Sequence, residues 1–158
     1  SPDAPLATSM SLYAQNAEGS FVDWVFSGTL QRFPSIKIAY AESQVGWMPF
    51  QLERMDSVFK EGRGGVGGAG PLPSEIAKGR IFGCIFDDLV GLKQREDVGV
   101  DQILFETDYP HSDGTFPHSR KVAHSMFAAV GMNADECYKV LRGNAIEAYG
   151  LQRFGITE

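Results

Sequence analysis

Between Glu106 and His118 the chain places Glu106, Asp108, His111, Asp113 and His118, side chains that hold protons or cations, in the stretch ILFETDYPHSDGTFPHS (103–119). The stretch opens as an apolar strand and then turns polar. Two other short apolar runs end the same way: IKIAYA (36–41) gives onto Glu42, and RIFGCIF (80–86) gives onto Asp87 and Asp88. A single acid at a strand end is unremarkable, since Asp favours turns. Carboxylates after each apolar run are a better signal, because acids gathered at one rim repel one another unless a cation, a proton or a base compensates. His111, in a loop just after Asp108 and beside Pro110, can reach that rim. The chemistry such a set performs is cation binding and proton transfer.

Strand alternation relates these groups. If Asp108 points inward, Glu106 and Leu104 share its face, and Glu42 shares a face with Tyr40 and Ile38. An inward Glu106 needs a cation, a partner or a proton, because a lone buried carboxylate is costly. His118 and His124, six residues apart near one predicted helix, fall on different faces and cannot chelate together as an i, i+4 pair would. Gly62-x-Gly64-x-x-Gly67 matches a dinucleotide fingerprint. A helical pattern precedes it, however, and Pro71 and Pro73 follow, so 62–73 reads as a flexible Gly/Pro-rich loop. No Ser or Cys sits in a G-x-S-x-G elbow.

The elements that would position these groups alternate along the chain. Residues 18–32 form an amphipathic helical pattern with Phe21, Val22, Val25, Phe26 and Leu30 at helical spacing. The strand 36–41 and the helix 50–60 follow. Ser74 is placed to cap a turn through Lys78, 80–86 reads as a second buried strand, and 89–96 as a short helix. The third strand is 102–107, then a helix over 117–130, a helix capped by Asn133, and a last turn capped by Asn144 that ends near Gly150. Strands separated by helix-length segments predict parallel β/α units with two open sheet edges, part of a larger sheet or barrel.

With 158 residues, 43% hydrophobic and 22% charged, the chain is long enough for a single core-bearing unit. Its net charge of −6 offers no basic patch for nucleic acid or an anionic membrane. No apolar run has the length of a spanning helix, and the start, SPDAPLATSM, resembles no leader. Cys84 and Cys137 have no C-x-x-C spacing, and two buried free thiols in a reducing cytoplasm are expected. The missing initiator Met suggests that the chain begins partway through a longer protein.

RFPSIKIAYAESQVGWMPFQLERMD, ILFETDYPHSDGTFPHS and RGNAIEAYGL together resemble the amidohydrolase-2 family of the amidohydrolase superfamily, the aminocarboxymuconate-semialdehyde decarboxylase-like metal-dependent hydrolases. The resemblance runs over nearly the whole chain. It implies an α/β fold, the C-terminal part (about strands six to eight, with their helices) of a (β/α)8 TIM-type barrel with one divalent metal, zinc or manganese, at its carboxyl rim. It makes Asp108 a metal ligand and catalytic residue. Glu42 stands where the decarboxylases carry a His, and becomes a candidate acid/base. His111, a further candidate catalytic residue, and Trp47 are expected on loops over the pocket, with Glu106 also near the substrate. The implied reaction is hydrolysis or non-oxidative decarboxylation of a small organic acid. The family's other ligands, an H-x-H or E-x-H pair and a later His, have no counterpart here, and 158 residues fall short of the roughly 250 of a barrel. The chain alone is therefore expected to be inactive and metal-free. In that reading the partner of the chain is the missing N-terminal half of its barrel; the alternative is a non-catalytic half-barrel interaction module, or a subunit completed by a partner chain or a second copy.

Overall fold

The computed structural model describes residues 3–67 and 69–157. The chain runs through helices α1 (Leu6–Ser11), α2 (Ala14–Phe26) and α3 (Thr29–Arg32) into strand β1 (Ile38–Tyr40), then α4 (Met48–Lys60) and α5 (Pro73–Ala77). Strand β2 (Ile81–Ile85), helices α6 (Leu89–Lys93) and α7 (Arg95–Val98), and strand β3 (Ile103–Phe105) follow. Helices α8 (Ser119–Ala129), α9 (Ala134–Tyr138) and α10 (Asn144–Tyr149) complete it. The strands form one parallel sheet in the order β1-β2-β3. The α/β alternation and parallel order expected from the sequence are present, and β1 and β3 are the sheet's edges.

The apolar residues sort by strand face. Ile81, Ile85 and Ile103 join the main core with Phe21 and Val25 of α2 and Met48 and Met55 of α4. Each fully buried aliphatic or aromatic side chain of this kind contributes about 1.5–3 kcal/mol relative to exposure. On the other face Phe82, Cys84 and Leu104 form a smaller cluster with Ala39, Ala145 and Ala148. Burial on both faces is why β2 reads as an unbroken apolar run. Gly83 has a steric reason: a Cβ there would collide with Val45 and press on Met48, so glycine lets the loop after β1 lie against the sheet.

Several boundaries differ from the sequence reading. The helix expected over 18–32 is two helices, because Gly28 adopts a left-handed φ of 74° between them. Each strand is shorter than its apolar run. Pro73 is the first residue of α5 and not part of the loop, and Glu75 accepts the Leu72 N–H at 2.8 Å, so Ser74 does not cap this helix. Ser74 instead donates its N–H and hydroxyl to Asp56. Within 62–73, Gly67 packs against the end of α4, where a Cβ would lie 2.6 Å from the Phe59 carbonyl oxygen; Gly68 lies outside the described residues. The 89–96 helix divides into α6 and α7. Asn133 caps α9 as expected, in a reciprocal pair with Glu136. Asn144 does not cap. A π-turn (Lys139–Gly143) runs into α10, and the Asn144 amide donates to the carbonyls of Val100 at 2.7 Å and Ile103 at 2.8 Å. Cys84 is buried, Cys137 is partly buried, and both are free thiols. No helix among the described residues is long and apolar enough to cross a membrane.

Candidate functional site

At the carboxyl end of the sheet the backbone leaves β1 and β3 in an unusual way. Glu42, Gln44 and Asp108 have φ of 55°, 54° and 53°, the left-handed region that non-glycine residues rarely occupy. Such conformations cost about 1–3 kcal/mol each and persist where the surroundings over-determine them, commonly at functional sites. They also end the strand alternation early. Glu106 still follows the face of Leu104 and Cys84, whereas Glu42 and Asp108 lie beyond the ladder, where alternation no longer sets their direction.

The result is a cluster. His111 Nδ1 lies 2.8 Å from Asp108 Oδ2 and 3.4 Å from Glu42 Oε2. Donor atoms of Glu42, Asp108 and His111 all lie within 4.8 Å of one another. Asp108 is the most enclosed, with 12% of its side chain exposed against 43% for Glu42 and 52% for His111. The hydrogen bond to Asp108, then that carboxylate's charge, raises the His111 pKa above its ordinary value. Two carboxylates around one imidazole form a set of donor atoms that could receive a cation. Two oxygen donors and a ring nitrogen at this spacing suit a divalent metal ion. The sequence reading gave the metal to Asp108 alone; the structure brings two further donors beside it.

Glu106 stands next to this cluster. Its Oε1 accepts the backbone N–H of Glu42 at 2.6 Å. Burial raises its pKa, the Glu42 N–H opposes that, and the charges of Asp108 and Glu42 raise it further. Burial, together with the Glu106 charge, also pushes the neighbouring Cys84 thiol up to about 12, so it is inert as a nucleophile at neutral pH.

The remaining rim acids separate. Asp88, expected to present a carboxylate at the rim, is buried and already satisfied. Its Oδ2 accepts Val45 N–H at 2.7 Å and Gly46 N–H at 2.8 Å, and its Oδ1 accepts Gly91 N–H at 2.7 Å as the cap of α6. Asp87 is exposed. Trp47 turns toward the core: its ring meets Phe21 edge-on at 5.5 Å, and its Nε1 donates to the Ser43 carbonyl at 2.9 Å. It buttresses the Glu42 loop from below. His118 and His124 are exposed at and within α8.

A cleft of about 430 Å3 opens beside Glu42 and His111, walled by Tyr13, Asn16, Tyr40 and Ser43. Sequence reasoning did not find Tyr13 and Asn16, which come from the α1–α2 junction and carry no local motif. Tyr40 was within reach, as the last residue of the strand that leads to Glu42. Gly114 was also missed. A Cβ there would lie 2.6 Å from the Thr107 carbonyl oxygen and 3.1 Å from Asp108 Cβ, so glycine lets the His111 loop fold back onto Asp108.

In parallel β/α layers the carboxyl rim is where ligands usually meet the fold, and it is there that these carboxylates and the imidazole gather. The chain belongs to the amidohydrolase family: the family model Amidohydro_2 (Amidohydrolase) matches residues 11–151. No curated protein matches the chain significantly. In fold it is similar to the crystal structure of an amidohydrolase from Mycobacterium avium subsp. paratuberculosis K-10, with a TM-score of 0.68 and 21% identity. That likeness covers 85% of this chain and 33% of the other, so the chain spans about a third of that structure's length.

Proposed function

We propose that the chain forms strands six to eight of an amidohydrolase barrel, and that the whole protein is a cytoplasmic metal-dependent hydrolase or non-oxidative decarboxylase acting on a small organic acid. The observation that carries this reading is the convergence of Glu42, Asp108 and His111. These residues would hold the divalent ion, zinc or manganese, which when bound supplies Lewis-acid polarisation of a substrate carbonyl or carboxylate. Asp108 orients His111 through the 2.8 Å contact and leaves its ring fixed at the rim. Glu42 borders the cleft and is the group assigned to proton transfer with substrate. Tyr13, Asn16 and Tyr40 wall the space beside it. Trp47 and Glu106, expected near the substrate, each contact the Glu42 loop through a hydrogen bond.

The test is calorimetric titration of the full-length gene product with Zn2+ and Mn2+, alongside its turnover of aromatic acids and lactones. Asp108→Ala should abolish binding in the first assay and metal-dependent turnover in the second. Unchanged binding and full activity would remove the assignment.

A second reading, a half-barrel completed by another chain, has one observation in its favour. An apolar groove of about 760 Å3 runs along β3 and α8, lined by Phe105, Phe116, Met132 and Leu141, with Phe116 60% exposed. Under this reading the chain sediments as a stable oligomer and binds no metal with Asp108 intact.

A further inference from the structure

Glu42 can serve the cluster only if its backbone holds an orientation that an L-residue disfavours, at φ 55°. Several contacts shape its loop. Ser43 Oγ lies within hydrogen-bond distance of the Tyr40 and Gln44 carbonyls, at 3.2 and 2.9 Å, Gln44 N–H bonds to the Cys84 carbonyl at 3.1 Å, and Trp47 is tied to the Ser43 carbonyl. Among the described residues, the contact on Glu42's own N–H is the 2.6 Å bond to Glu106 Oε1, which bridges 64 residues of chain from the end of β3 to the end of β1. A partly buried carboxylate beside two other acids is a costly acceptor for one amide, where a neutral side chain or water would serve a purely structural loop. Its position is informative for another reason. Glu106 is two residues from Asp108, so one short segment supplies both an enclosed member of the cluster and the clamp on another member.

We infer that Glu106 is a positioning residue: by gripping the Glu42 amide it aims the Glu42 carboxylate at His111 and Asp108, and so sets the donor spacing for a divalent cation. This rests on the reading of the cluster as a cation site, and the test separates the two.

The full-length gene product and its Glu106→Ala, Glu106→Gln and Asp108→Ala variants are compared by amide hydrogen exchange at Glu42 and by calorimetric titration with Mn2+. Glu106→Ala should speed Glu42 exchange roughly tenfold or more. It should also weaken Mn2+ binding by about 10–100-fold, the usual cost of losing a group that orients a ligand. Glu106→Gln keeps an acceptor oxygen and should restore both to within about threefold of the parent. Glu106→Ala with parental Mn2+ affinity overturns the inference while leaving the cation site standing, provided Asp108→Ala still abolishes binding. A Gln variant as weak as the Ala variant also overturns it. If Glu106→Ala fails to fold by circular dichroism, Glu106→Gln decides alone: near-parental exchange and affinity support the clamp, and a tenfold loss refutes it. Equal Mn2+ binding by the parent and Asp108→Ala removes the cation site and this inference with it.

Discussion

The carboxylate of Asp88 accepts the backbone N–H of Val45 at 2.7 Å, joining the turn after β2 to the loop after β1 across 43 residues. It also takes Gly46 N–H and caps α6, so one buried side chain satisfies three backbone donors. Asp88→Ala strands those donors and should destabilise the chain by about 2–4 kcal/mol. Asp88→Asn, which keeps a carbonyl oxygen, should lose less. Urea midpoints measure both, and a loss below about 0.5 kcal/mol for the Ala variant would contradict the role.

Gly114 should resist substitution for steric and not conformational reasons. An added methyl would meet the Thr107 carbonyl oxygen and Asp108, forcing the His111 loop outward. Gly114→Ala should cost about 1–3 kcal/mol. It should also shift the His111 imidazole resonances in the metal-free protein, because the 2.8 Å contact with Asp108 depends on that loop. Parental resonances would show that the loop accommodates the methyl elsewhere.

A pH effect follows from Glu136. Its hydrogen bond to Arg95, then the Asn133 N–H that it caps, hold its pKa below the ordinary 4.5. A depressed carboxylate stabilises the fold above its unfolded pKa, and the contribution is lost as the pH falls through the lowered folded value. Glu136→Gln should therefore be less stable than the parent by about 1 kcal/mol at neutral pH. The gap should close on acidification below 4.5. Parallel urea titrations from pH 7 downward would show this, and a gap that does not narrow at all below 4.5 would count against the assignment.

Much of the layout could be read from the residues themselves. β2 is apolar on both faces, Asn133 and Glu136 sit at capping spacing, and acids follow the strands. These are local signals, carried by neighbours in the chain. The failures share a cause. Asp88 looks like a rim acid because its Val45 and Gly46 partners are distant in sequence, and Asn144 looks like a cap because its acceptors, Val100 and Ile103, lie far up the chain. Glu42 and Asp108 were found by type, but their convergence depends on left-handed backbone at both, which no non-glycine sequence advertises. Tyr13 and Asn16 reach the cleft only through the packing of α2.

The indole of Trp47 is hydrogen-bonded to the carbonyl of the residue next to Glu42 and lies edge-on to Phe21 in the core. The molecule thus carries its own optical probe, one of only two tryptophans, wired to the backbone of the rim. Its emission, separated from that of Trp24 by a Trp24→Phe background, will register any event that shifts the Glu42 segment, with no label attached.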